Sequence, residues 1–238
     1  MAAPTPSGFA TSSANSTSLT VTLPATVAVG DLLCVWIGVD GDVTSSISSA
    51  PTDSTSDAWT RLAAALSVTP SVPHTGAFYY KVADGDEDGG SLTVSWTGTQ
   101  NTSAVSWVVD SDLAAPDAGT TVAPDSNNAS SDPPTVTPAG GSDDYLYMVL
   151  IHSDQGDYST STQPSGYTFT TGTHDASTGT ASGDSRVAVA FKQTTASTSD
   201  DPGTWTGLTS TRHAVNTLAF APAGGGGSIP TIFEFAVG

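Results

Sequence analysis

The segment "SWTGTQNTSAVSWVV" at 95–109 decides the fold, because "TWTGLTSTRHAVNTLAF" at 204–220 nearly repeats it. Trp96 and Trp205 lie 109 residues apart, and Ala104-Val105 and Ala214-Val215 lie 110 apart. The echo continues outward from this pair. "TVT" at 20–22 returns at 135–137, and "DLLCVWIGVD" at 31–40 returns as "DYLYMVLIHSD" at 144–154. "SDAWT" at 56–60 matches "PSGYT" at 164–168, and "AFYYK" at 77–81 matches "AVAFK" at 188–192. Six features in one order mark an internal duplication of about 110 residues.

Composition gives the type of the repeated unit. Ser and Thr number 70 of 238 residues, and long helix-forming runs are missing. Thr, Val, Tyr and Trp suit pleated surfaces, while 24 Gly and 15 Pro supply turns. The apolar runs at 32–39 and 145–151 read as strands covered on both faces. "SLTVTL" and "SLTVSW" alternate and read as half-exposed strands. "RLAAALSV" at 62–69 would pass for a short helix, but its counterpart "FTTGTHDAS" would not, so this position reads as a strand with its loop. The expected fold is therefore all-β, an antiparallel double-sheet jelly-roll sandwich over residues 1–224. Repeat 1 would span about 18–110 and repeat 2 about 135–221, joined by a crossover or linker at 111–134. Two tandem β-sandwiches are the alternative.

Charge bounds the partners. Twenty-three acids, of which 21 are Asp, face five bases, giving a net charge of −18. Such a surface repels phosphate backbones and excludes nucleic acid as a partner. Concentrated salt would relieve the self-repulsion, since the screening length shrinks to roughly 3 Å at 1 M. A saline or hypersaline setting follows, with an ordinary acidic extracellular protein as the alternative. Cys34 stands alone inside an apolar run and reads as a small buried hydrophobe. The first residues, "MAAPTPSGFATSSANST", resemble no export leader, and no stretch approaches a membrane span.

The last residues break the pattern. "GGGGS" at 224–228 precedes "IPTIFEFAVG", so residues 225–238 read as a Gly-rich tether and an apolar arm. Ile229, Ile232, Phe233, Phe235 and Val237 would each gain roughly 1.5–3 kcal/mol from full burial elsewhere. They are the candidate partner-binding residues, docking on another subunit by strand addition or packing.

Chemistry-bearing motifs are few. In "DGDEDGG" at 84–90, Asp84, Asp86 and Asp88 followed by Gly89 fit a D-x-D-x-D-G spacing that wraps oxygens around Ca²⁺. Ser95 stands where an EF-hand would place its bidentate Glu, so the other reading is a solvated acidic hairpin loop. "HSD" at 152–154 holds the residue types of a hydrolase triad, but strand neighbours alternate faces and cannot assemble one. His74, His152, His174 and His213 are scattered, and no catalytic residue or other cofactor is assigned. Trp36, Trp96 and Trp205 read as core members, while Trp59 and Trp107 are candidates for stacking on sugars.

"TVTLPATVAVGDLLCVWIGVDGD", "AWTRLAAA", "FYYKVADGDEDGGSLTVSW" and "PSGYTFT" together resemble a jelly-roll β-domain of structural proteins from tailed phages and haloarchaeal tailed viruses. The resemblance covers roughly residues 9–221. It departs at "DAWT" and after Gly224. What it implies is a non-enzymatic virion component: a capsid decoration, turret, spike or tail-fibre piece on the virion surface. Its partners would be capsid, portal or tail proteins and copies of itself, with no membrane. A carbohydrate- or cell-surface-binding adhesin module, touching host glycans, is the alternative.

Overall fold

A computed structural model describes residues 2–62, 66–68, 73–110, 116–119, 128–156, 158–179 and 183–222. The tether and arm at 225–238, with Ile229, Ile232, Phe233, Phe235 and Val237, lie outside the described residues.

The chain is all-β with antiparallel sheets. In the first half, β1 (Thr5–Thr22), β2 (Leu32–Asp40), β3 (Thr60–Arg61), β4 (Leu66–Val68), β5 (His74–Val82) and β6 (Ser91–Asp110) form one sheet. Its order is β1-β6-β2-β5-β3, with β4 also on β5. In the second half, β7 (Asp117–Ala118), β8 (Asn128–Ser131), β9 (Leu146–Ser153), β10 (Asp175–Ser177), β11 (Arg186–Gln193), β12 (Trp205–Thr211) and β13 (His213–Phe220) follow. There the order is β10-β11-β9-β13-β7, and β12 pairs with β8 separately. Read from β7, the second sheet copies the first: β7 stands for the start of β1, β13 for the end of β6, β9 for β2, β11 for β5 and β10 for β4.

Register makes this match residue-specific. Lys81 faces Leu33 across the ladder, and Lys192 faces Tyr147. Counting from there, Trp36 corresponds to Leu150, Gly38 to His152 and Asp40 to Asp154. The apolar runs are the central strands β2 and β9, buried along almost their whole length.

Among the described residues every ladder joins strands of one half, so the halves exchange no strands. The antiparallel all-β class is as expected from sequence, and each half completes its own main sheet. The two main sheets then pack face to face through Leu32, Cys34, Trp36, Trp107, Met148 and Leu218, among others. The outer face of each sheet carries a second core. Leu19, Val21, Trp59, Tyr79, Leu92 and Trp96 build the first, and Val136, Tyr147, Tyr167, Trp205 and Leu208 the second. Cys34 is buried between the sheets, where desolvation pushes its thiol up.

Two boundaries differ from expectation. The first half begins at Thr5 rather than near 18, and the segment 111–134 contributes β7 and β8 rather than only a link. Both errors have one cause: an edge strand such as "ATSSANS" alternates small polar residues, so it shows no hydrophobic period. "RLAAALSV" holds β4, a strand as expected, within its described part. Among the described residues no helix is long and apolar enough to cross a membrane.

Candidate functional site

Lys81 stands near the end of β5 on the face that carries Tyr79, since residues two apart share a side of a strand. Two loops close over it. The first, after the "SAP" turn, holds Asp53, Asp57 and Trp59; the second, the β5–β6 loop, holds Glu87. Lys81 Nζ lies 2.6 Å from Asp57 Oδ2, 2.8 Å from Glu87 Oε1, 3.3 Å from Asp53 Oδ2 and 3.8 Å from Asp84 Oδ1.

Each buried carboxylate is tied down as well as paired. Asp53 Oδ1 accepts from the Thr55 hydroxyl and from the Thr55 and Asp57 amides, closing a turn in which Ser56 takes a left-handed φ of 81°. Asp53 Oδ2 accepts the Trp59 indole N–H at 3.0 Å. Glu87 takes the amides of Asp84 and Gly85, both at 3.0 Å. Gly85 makes this curl possible with a φ of 104°, which a side chain would strain.

The electrostatics follow. Burial alone would raise Asp53 and Glu87, but hydrogen bonds and the Lys81 charge outweigh it and hold each at about 2. For Lys81, burial works against the charge, and the bonds to Asp57 and Glu87 overcome it, so its pKa rises above the ordinary value. Asp84 is raised, first by sharing a hydrogen bond with Asp86. A protonated lysine offers no lone pair for attack, and carboxylates this acidic are poor bases near neutrality. The arrangement fastens both loops to the end of β5.

Carboxylate oxygens of Asp57, Asp84, Asp86 and Glu87 lie within 4.8 Å of one another, a spacing that a cation can bridge. This set overlaps the ladder read from sequence only in Asp84 and Asp86. Asp88 turns away, its Oδ1 accepting the Val27 amide at 2.6 Å. Asp57 and Glu87 were not legible as partners, since one comes from another loop and the other was counted only as part of an acid run.

The second half repeats the theme with other residues. Lys192, equivalent to Lys81, pairs with Asp200. Asp200 also accepts the hydroxyl of Tyr167, which stands where Trp59 stands in the first half. Lys192 lies 4.9 Å from the Tyr167 ring centroid.

The remaining sequence candidates fall into place. All five tryptophans are buried, Trp59 at 1% exposure and Trp107 at 0%, so neither presents a stacking face to sugars. Their indoles cover the outer core and the seam between sheets instead. Two of the four histidines meet: the His74 and His152 rings lie edge-on at 4.8 Å, whereas His174 packs against Phe9 at 4.2 Å, and burial, with His152 nearby, lowers His213. Asp154 of "HSD" bonds Thr211, not His152, so no triad forms. No protein-family model, curated protein or solved structure matches this chain.

Proposed function

We propose that this chain is a non-enzymatic structural module of a large assembly, a virion-surface component of the capsid-decoration, turret, spike or tail-fibre kind. One observation carries the reading: the charged side chains that chemistry would need are spent on fastening loops to the two outer cores. The family resemblance of the jelly-roll type supplies the rest, with residues 1–224 as a duplicated body. Residues 225–238 would be the arm, with Ile229, Ile232, Phe233, Phe235 and Val237 seated on capsid, portal or tail proteins or on a second copy. The setting would be extracellular and rich in salt, where a net charge of −18 is screened. Ca²⁺ belongs to the proposal at Asp84 and Asp86, joined by Asp57 and Glu87 rather than by Asp88, since a divalent cation would relieve the shared proton.

Incorporation is the test. A chain lacking residues 229–238 should stay folded and fail to enter particles, and normal incorporation would remove the reading. Calcium titration of the full chain against an Asp84→Asn/Asp86→Asn variant should raise the melting temperature of the former only. Melting should also move upward from low salt to roughly 1 M NaCl.

A carbohydrate-binding adhesin is the second reading, favoured by one groove where the halves meet. Thr11, Ser12, Ser13, Asp175, Ser177 and Arg186 line an open space of about 320 Å³. Glycan-array binding lost on Ser177→Val would move the assignment there.

A further inference from the structure

Sheet edges invite pairing with another chain, because an edge strand leaves alternate N–H and C=O groups without a ladder partner. Three of the four edges of the two main sheets are blunted by length. β3 and β4 span two and three residues on one edge of the first sheet. β10 and β7, the edges of the second, span three and two, and carry Asp175 and Asp117. β1 is the exception. It runs 18 residues, Thr5–Thr22, and among the described residues it pairs with β6 alone. It also carries no charge: the first charged side chain of the chain is Asp31, although 23 acids and five bases occur in all.

Register fixes which part of this edge is usable. Irregularities between Ser7 and Ala10 and between Ser16 and Ser18 bound an unbroken run, from Ala10↔Ser106 to Ser16↔Gln100. Before the run, Gly8 turns with a φ of 64° and Phe9 packs against Trp107 and His174, which anchors that end. After it the strand bends over the first outer core, where Leu19 and Val21 pack. The Thr22 amide reaches Ser12 Oγ at 2.9 Å, whereas ten residues of straight strand would part them by about 33 Å. Within the run Thr11, Ser13 and Asn15 are exposed, and Ala14 packs on the outer core. The run is therefore a held, regular edge that presents only small uncharged side chains.

We infer that β1 is the docking edge for a second copy of this chain: the two β1 strands pair antiparallel about a two-fold axis, joining the first main sheets edge to edge. Charge selects this occupant. Each copy carries −18, so two copies repel over most of their surfaces, and a run free of acids is where their backbones approach at least cost. A two-fold contact is self-complementary, which puts the axis at the middle of the run, Ser13. Ser13 then faces the partner's Ser13, and Thr11 faces the partner's Asn15, small hydroxyl and amide groups that bond across strands. The contact uses only the body of the chain, so it goes beyond the docking of residues 225–238.

Sedimentation of the full chain at two salt concentrations tests this. In about 1 M NaCl the chain should dimerise, and its dissociation constant should rise about tenfold or more at about 0.1 M. Ser13→Asp, an exposed change that sets two carboxylates face to face, should stay monomeric while melting close to the wild type. Ser13→Cys should close an intermolecular disulfide on oxidation, since opposed residues have Cα atoms about 4.5–5.5 Å apart and the native Cys34 is buried. Asn15→Cys should not, because the partner's Asn15 lies four positions off register, about 13 Å away. A chain lacking residues 229–238 should dimerise as the full chain does; loss of the dimer there would make the arm the occupant and overturn the proposal. So would a wild type monomeric at both salt concentrations, a dimer that tolerates Ser13→Asp, or a Ser13→Cys chain that forms no disulfide dimer. Incorporation into particles reads the arm and not this edge, so the two proposals fail separately.

Discussion

Set side by side, the two halves solve one problem with different residues. Each ends its second central strand, β5 or β11, with a lysine under an outer loop, and each must neutralise it. The first half gathers Asp53, Asp57, Asp84 and Glu87 within 4 Å of Lys81. The second uses Asp200 for Lys192. Asp200 follows β11 as Glu87 follows β5, so the second half keeps an acid in the loop after the lysine and lacks the partners, Asp53 and Asp57, that precede β5 in the first. The aromatic nearby changed, from Trp59 to Tyr167, yet each still donates to an acid beside the lysine. What persists is the requirement for a lid fastened by a buried charge, not the identity of the fastener.

Removing the lysines should separate the halves most sharply. Lys81→Met leaves Glu87 and Asp53 ionised, with side-chain exposures of 0% and 1%. An unpaired buried charge costs about 3–5 kcal/mol, read as a shift in the urea midpoint. Lys192→Met should cost about 1 kcal/mol or less, because Lys192 is 22% exposed and Asp200 keeps Tyr167. Equal costs would dissolve the distinction. The same contrast has a pH signature. Asp53 and Glu87 are depressed to about 2, so their contribution is complete above the ordinary carboxylate range near 4 and is lost as pH falls toward 2. Below pH 4 the wild type should lose stability more steeply than Glu87→Gln.

Much of this was legible in the chain, for reasons tied to particular residues. β2 and β9 are central strands, so their runs of apolar side chains have no solvent face to confuse the period. Trp96, Trp205, Lys81 and Lys192 are rare residue types, and rarity makes an offset visible. The first part of β1 and the short β8 were missed because edge strands of Ser, Thr and Asn bury little, and β7 is only Asp117–Ala118. The hub was half legible: "DGDEDGG" marked the loop, but spacing alone does not tell which acids turn inward, a choice made by Gly85 and the reach of Lys81. The His74–His152 contact was not legible at all. Its members are single residues in different strands, and only sheet packing brings them together.

A second pair of positions sharpens the comparison at the seam. Gly38 and His152 are equivalent in the repeat and stack on each other across it. Gly38→Ala should cost about 1–3 kcal/mol by overpacking, since the new Cβ would overlap the imidazole. In a His152→Ala background the same change should cost far less, giving a coupling term of about 1 kcal/mol or more in a double-mutant cycle. Additive costs would mean that the sheets slide apart freely and that the glycine is not the floor on which the ring rests.

The smallest effect concerns the two aromatic donors. Tyr167→Phe keeps the ring in the second outer core and removes only the hydroxyl that Asp200 accepts, an expected loss of about 0.5–1.5 kcal/mol. Trp59→Phe removes an indole N–H from Asp53, but that carboxylate retains the Thr55 hydroxyl, two backbone amides and Lys81. The hydrogen-bond part of its cost should therefore be the smaller of the two, and the lost ring volume the larger part. A Trp59→Phe/Lys81→Met double variant separates them: without Lys81, Asp53 leans on the indole, so Trp59→Phe should cost more there than in the wild type. The analogous pair, Tyr167→Phe with Lys192→Met, should couple more strongly still, because Asp200 then loses both of the side chains that hold it. If the first pair couples more than the second, the many bonds at Asp53 act as one cooperative network, not as a reserve.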